Sequence, residues 1–139
     1  MAFDGYLLKI GDDDNAYTIT GAEYINEKSY KVTRNIQDLD SYRDANGFLH
    51  RNALEHVPLK IEINTRENLT NTQLAAFLGA IRNKYINENE RKCRVTAFVP
   101  ELNTYVTQEM YMPDPEITIK IIRNGVIKYD SVRLAWIGY

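Results

Sequence analysis

Apolar residues recur every three or four positions in one stretch of this sequence and alternate with polar ones almost everywhere else. The stretch is Leu69 to Ile86, where Leu74, Phe77, Leu78, Ile81 and Tyr85 fall on one helical stripe while Gln73, Arg82 and Lys84 face elsewhere. Thr70 stands where an N-cap hydroxyl accepts from the backbone three residues on. Gln73 stands where a capping box is completed, and Leu69 with Leu74 has the spacing of a hydrophobic staple. The pattern predicts one helix, and a single apolar stripe needs a sheet to lie on.

The strands follow from the period of two. Leu59 to Asn64 alternates cleanly, with Leu59, Ile61 and Ile63 on the inner face and Lys60 and Glu62 on the outer. Tyr6 to Ile10 and Tyr17 to Thr20 read as short strands around the polar turn Gly11 to Asn15. Glu23 to Arg34 reads as a long, partly exposed strand. Arg94 to Val99 and Tyr105 to Met110 form a hairpin through Pro100 to Asn103, and Pro113 with Pro115 stops the next ladder. Ile117 to Arg123 and Val126 to Tyr129 are joined by Asn124-Gly125, the dipeptide most favourable to a two-residue turn, and Val132, Leu134 and Trp136 carry the alternation on. The fold class expected is mainly β: a β-sandwich or open barrel with one flanking α-helix, as a single domain over 1–139.

Asn35 to Asn52 keeps neither period. It is polar and charged, contains Asn46-Gly47 as the signature of a type I′ hairpin, and reads as a long hairpin arm. Its aromatic and arginine residues are the types that dominate protein–protein contacts. Tyr42, Arg43, Phe48, Leu49 and Arg51 are therefore the candidate oligomer-interface residues.

Composition narrows the function without specifying it. A chain of 139 residues can bury a core of its own, and a single cysteine, Cys93, permits no internal disulfide. Met1 to Asp4 offers no basic and apolar leader, and no run is long enough to span a bilayer, so no secretory signal and no membrane segment are expected. The net charge of −2, with both signs interspersed, provides no basic field for nucleic acid. The acidic run from Asp12 misses the calcium-loop spacing, since Ala16 and Tyr17 occupy the fifth and sixth positions. His50 and His56 share no spacing that converges on a metal, and Cys93 alternates with Val95 and Ala97 like a core residue. No phosphate loop, nucleophile elbow or supported acidic pair is present, so no enzyme, metal or cofactor is expected.

From the arm onward the chain resembles a known family. Tyr42-Arg43-Asp44-Ala45-Asn46-Gly47-Phe48-Leu49-His50-Arg51, the alternating strand after it, the helix around Gln73 to Ile81 and the strand pair ending in Met110-Tyr111-Met112 resemble the small tail proteins of phages and prophages of Gram-positive bacteria. The resemblance covers roughly Arg34 to Tyr139. It is similar in element order to the N-terminal domain of distal tail proteins and to the tail-tube fold, in which a β-sandwich or open barrel with one helix packs around a six-fold ring. The resemblance implies a structural subunit of the virion tail that is assembled in the host bacterial cytoplasm. Its implied partners are copies of itself in a ring and other tail proteins such as the tape measure, tail tube or tail hub. Unlike the larger distal tail proteins, this chain is expected to lack a second, carbohydrate-binding domain, and the expected role is assembly rather than receptor binding. The alternative is a monomeric carbohydrate- or protein-binding module of a tail tip, which would need Tyr17, Tyr24, Tyr105 and Tyr129 to converge.

Overall fold

The alternating segments pair as antiparallel strands in the computed structural model, which describes residues 3–12, 16–20 and 23–139. The strands are β1 (Leu8–Ile10), β2 (Tyr17–Ile19), β3 (Lys31–Arg34), β4 (Tyr42–Arg43), β5 (Leu49–His50), β6 (Leu59–Asn64) and β7 (Leu69–Thr70). After helix α1 (Asn71–Arg82) come β8 (Lys92–Val99), β9 (Thr104–Tyr111), β10 (Ile119–Arg123), β11 (Val126–Tyr129) and β12 (Arg133–Gly138). The fold is mainly β with one α-helix. Of the acidic turn after Gly11, Asp13 to Asn15 lie outside the described residues.

Seven strands form one sheet in the order β2-β1-β8-β9-β12-β6-β3. Alternation decides its inner face. Leu59, Ile61 and Ile63 of β6 and Cys93, Val95, Ala97 and Val99 of β8 are buried, together with Leu8, Ile10, Leu134 and Trp136. Two ladders are local hairpins, but β1–β8 and β6–β12 join segments far apart in sequence. The sheet curls strongly. Tyr30, just before the β3 edge, reaches the other half of the sheet and donates its hydroxyl to the Phe98 carbonyl of β8 at 2.7 Å, with the Leu7 carbonyl at 3.3 Å. Of the two architectures expected, these contacts describe an open barrel.

Glu23 to Arg34 is not one continuous strand. Tyr24 and Ile25 do pair with Arg66 and Thr65, and Lys31 to Arg34 with Glu62 to Leu59, so the whole segment runs antiparallel along β6 and its extension. Between these pairings Glu27–Ser29 forms a 3-10 turn: the Asn26 side chain accepts from the Lys28 backbone, and the Ser29 hydroxyl donates to the Asn26 carbonyl. Short polar side chains offer the backbone local partners and divert it from the ladder.

The helix forms where expected and stops earlier. Thr70 caps it, and the reciprocal bonds with Gln73 make a complete capping box. It ends at Arg82 with Asn83 as cap, beyond which the Lys84 and Tyr85 N–H groups bond three residues back, to Ile81 and Arg82, so Tyr85 packs against the core from the turn that follows. Leu74, Phe77 and Ile81 form the buried stripe. Phe77 stacks on Tyr24 at 5.1 Å between ring centres and meets Tyr17 of edge strand β2 at 6.2 Å. The helix thereby fills the seam between the two edges of the curled sheet. Leu69 and Thr70 also pair with Tyr129 and Lys128, which hangs the small sheet β10-β11-β7 on the start of the helix.

Candidate assembly surfaces

The arm is a real hairpin, and it is longer than its composition indicates. Pairing begins where the Asn35 N–H donates to the Pro58 carbonyl and continues through Leu54 with Gln37, Asp38 with Ala53 and Leu39 with Asn52 to the β4–β5 ladder. Its return limb therefore runs to Pro58 rather than stopping at Asn52. No residue from Asn35 to His56 is buried. The arm is held by its own backbone pairing and by its root.

That root is fastened to the barrel. Gln108 of β9 donates to the Val57 carbonyl at 2.8 Å and accepts from the Leu59 N–H at 3.0 Å. His56 Nε2 donates to the Tyr139 carbonyl at 2.5 Å. Gly138 makes the clamp possible, because a Cβ there would lie 2.7 Å from the Gln108 side-chain oxygen. The arm therefore projects in a defined direction.

At the tip the turn differs from the expected type I′. Only Gly47 has positive φ (84°), while the Gly47 N–H donates to the Asp44 carbonyl and the Asp44 N–H to Phe48. The Asp44 carboxylate also accepts from the backbones of Asn46 and Phe48, which draws Asn46 out of the left-handed region and lengthens the loop. The same dipeptide at Asn124-Gly125 has no such carboxylate, and both residues take positive φ (52° and 76°), as type I′ requires.

Of the five candidate residues, Phe48 is 70% exposed, Tyr42 60% and Leu49 48%. Tyr42 stacks on His50 at 4.9 Å, and His50 meets Asp44 at 2.8 Å. Arg43 donates to the Gly47 carbonyl. Arg51 makes a two-pronged bond with Asp38 and holds that carboxyl below the usual range, just as His50 does for Asp44. The charged members thus rigidify the arm, and its apolar members are left to solvent.

A second apolar surface escaped the sequence reading. Ile117, Ile119, Ile121, Ile122 and Val126 are all exposed, and β10 is the outer strand of its sheet. Alternation of Ile117, Ile119 and Ile121 with Thr118 and Lys120 ordinarily marks a face turned to a core. Here the register shifts between Ile119 and Ile121, and β10 is exposed along its whole length, which only the tertiary arrangement reveals.

The remaining candidates resolve simply. Tyr17 and Tyr24 pack on Phe77, Tyr129 packs against the core, and Tyr105 stacks on Tyr6 at 4.5 Å while donating to the Tyr6 carbonyl. Tyr17 and Tyr24 thus pack on Phe77, while Tyr105 and Tyr129 make their contacts elsewhere. Cys93 is buried, and burial pushes its thiol up to about 12. An unfolded thiol ionises near about pH 8.5, so the unfolded chain sheds this proton first and the site's contribution to stability falls as pH rises from there towards about 12. At about pH 8 the folded protein is expected to take up about one-tenth or less of the iodoacetamide that the urea-unfolded chain takes up. Equal labelling would show the thiol to be accessible.

Among the described residues no group of three or more histidine, cysteine or acidic side chains is placed to hold a metal, and no helix is long and apolar enough to cross a membrane.

The whole chain, residues 1–139, matches a family of unknown function, DUF6711, and belongs to it. No curated protein matches. One solved structure, described as the tail of an empty GTA particle computed with helical refinement and C6 symmetry, is similar over 100% of this chain and 94% of its own, with a TM-score of 0.56 and 12% sequence identity. At that identity the likeness is one of fold.

Proposed function

We propose that this member of the DUF6711 family is a structural subunit of a phage-like tail, which self-associates into a ring, hexameric like the C6 tail it resembles, as a tail-tube or distal-ring component. The observation that carries the reading is the end-to-end likeness in fold to a tail built with C6 symmetry. A rigid arm with nothing buried along it supports the same reading, since a hairpin that adds nothing to its own core finds its apolar partners on another chain. The interface residues are Tyr42, Phe48 and Leu49, with Arg43 and Arg51 holding the arm in shape. Copies of the chain and other tail proteins, the tape measure, tube or hub, are its partners, and the virion tail is its place. It works without catalysis or cofactor.

The test is direct. Purified protein at increasing concentration is expected to pass from monomer to a single closed species in light scattering, with six-fold rings or stacked tubes in electron micrographs. A chain that stays monomeric at every concentration, alone or with particles lacking it, would end the reading.

A further inference from the structure

Ile117, Ile119, Ile121, Ile122 and Val126 are uncovered, with Ile122 65% exposed, and edge strand β10 presents a row of unpaired backbone groups. The charge along the two strands of this hairpin is basic. Lys120, Arg123 and Lys128 lie on them, and the acidic residues Glu116 and Asp130 are confined to its base, where the Asp130 N–H donates to the Thr118 carbonyl. Lys120 is paired with Glu67 at 3.4 Å, whereas Arg123 and Lys128 make no ion pair among the described residues.

The arm has the complementary character. Residues 35–56 carry Asp38, Asp40, Asp44 and Glu55 against Arg43 and Arg51. Asp38 and Asp44 are occupied within the arm, but Asp40 and Glu55 make no ion pair among the described residues. Arm and hairpin do not cover one another inside one chain, because Phe48 and Ile122 both remain exposed in it.

We propose, resting on the ring reading above, that the acidic arm of one copy seats on the basic, apolar β10–β11 hairpin of the next. Phe48 and Leu49 cover the isoleucines, and Asp40 and Glu55 approach Arg123 and Lys128. The contact is head-to-tail: each copy gives one arm and receives one, so it propagates around a closed ring. Opposite charge steers the encounter, and the apolar patch supplies the buried centre.

Charge reversal on either side tests this with the full chain. Arg123→Glu with Lys128→Glu, and separately Asp40→Lys with Glu55→Lys, are each expected to weaken association by at least about tenfold, because like charges then face each other. The four changes together in one chain restore it. So does mixing the two disabled proteins: the basic arm of one fits the acidic hairpin of the other, and rings of alternating copies form. Independently, oxidation of a mixture of Phe48→Cys and Ile122→Cys chains is expected to give a disulfide-linked pair containing one of each, with buried Cys93 silent. The cysteine result also decides the matter should a reversed variant fail to fold. Reversed variants that assemble like wild type, or no mixed disulfide within assembled rings, would overturn the arm–hairpin contact while leaving the ring standing. A wild type that never assembles would remove both.

Discussion

Phe77→Ala is expected to lower unfolding stability by about 3–5 kcal/mol, a large part of the about 5–15 kcal/mol available to a domain of this size. The ring is fully buried and stands between the two sheet edges, against Tyr24 on one side and Tyr17 on the other. Truncation removes the apolar area and leaves a cavity that neither the backbone-paired strands nor the capped helix can close. Both tyrosines lose their partner in the same step. Leu78, one residue on and only half-buried, is the control, and Leu78→Ala is expected to cost clearly less. Urea unfolding followed by Trp136 fluorescence reads the difference, since the one tryptophan is fully buried in the folded state. A loss below about 1 kcal/mol for Phe77→Ala would mean that the helix is an ornament on the barrel rather than its closure.

Replacing residues 36–57 by a short turn is expected to abolish ring formation and to leave the monomer folded. The splice is geometrically mild, because Asn35 and Pro58 already face each other across a hydrogen bond. No buried residue is lost, and the shorter loop lowers the closure entropy by about 1 kcal/mol in favour of the folded chain. Circular dichroism and melting should therefore match wild type while light scattering reports monomer. A finer version is Phe48→Asp, which alters the most exposed apolar side chain of the arm and is expected to change monomer stability by no more than about 0.5 kcal/mol while weakening association. Arg51→Glu is a poorer probe than its composition suggests, because it also breaks the internal bond to Asp38. Rings that persist without the arm would overturn its assignment, and a deletion that unfolds the monomer would show the arm to be part of the fold.

What was legible in the sequence was whatever is decided locally. The capping box at Thr70 and Gln73, the alternation of β6 and β8, and the turn at Asn124-Gly125 each depend on residues within a few positions of one another, and each stands where expected. The arm was legible as a hairpin, but its length was not: the return limb from Ala53 to Pro58 is recognisable only through its pairing with Asn35 to Asp38. The Asn46-Gly47 turn was misread because one carboxylate two residues upstream outweighed the dipeptide's preference. The break at Glu27–Ser29 has the same origin in short polar side chains. Exposure of the β10 isoleucines was illegible for another reason, since alternation shows that a strand has two faces and not what lies against either.

The strand order sets an order for folding. β12 lies in the interior of the large sheet, between β9 and β6, although it follows both of them in sequence. Until Arg133 to Gly138 dock, the order of the large sheet leaves two halves unjoined, β2-β1-β8-β9 and β6-β3, with the place of Trp136 empty between them. The apolar inner faces of both halves then stand open to water and to other chains, as happens when non-local pairing must wait for its partner. The barrel is thus closed only when β12 takes its place, and an intact interior strand is a condition for any surface the closed barrel presents.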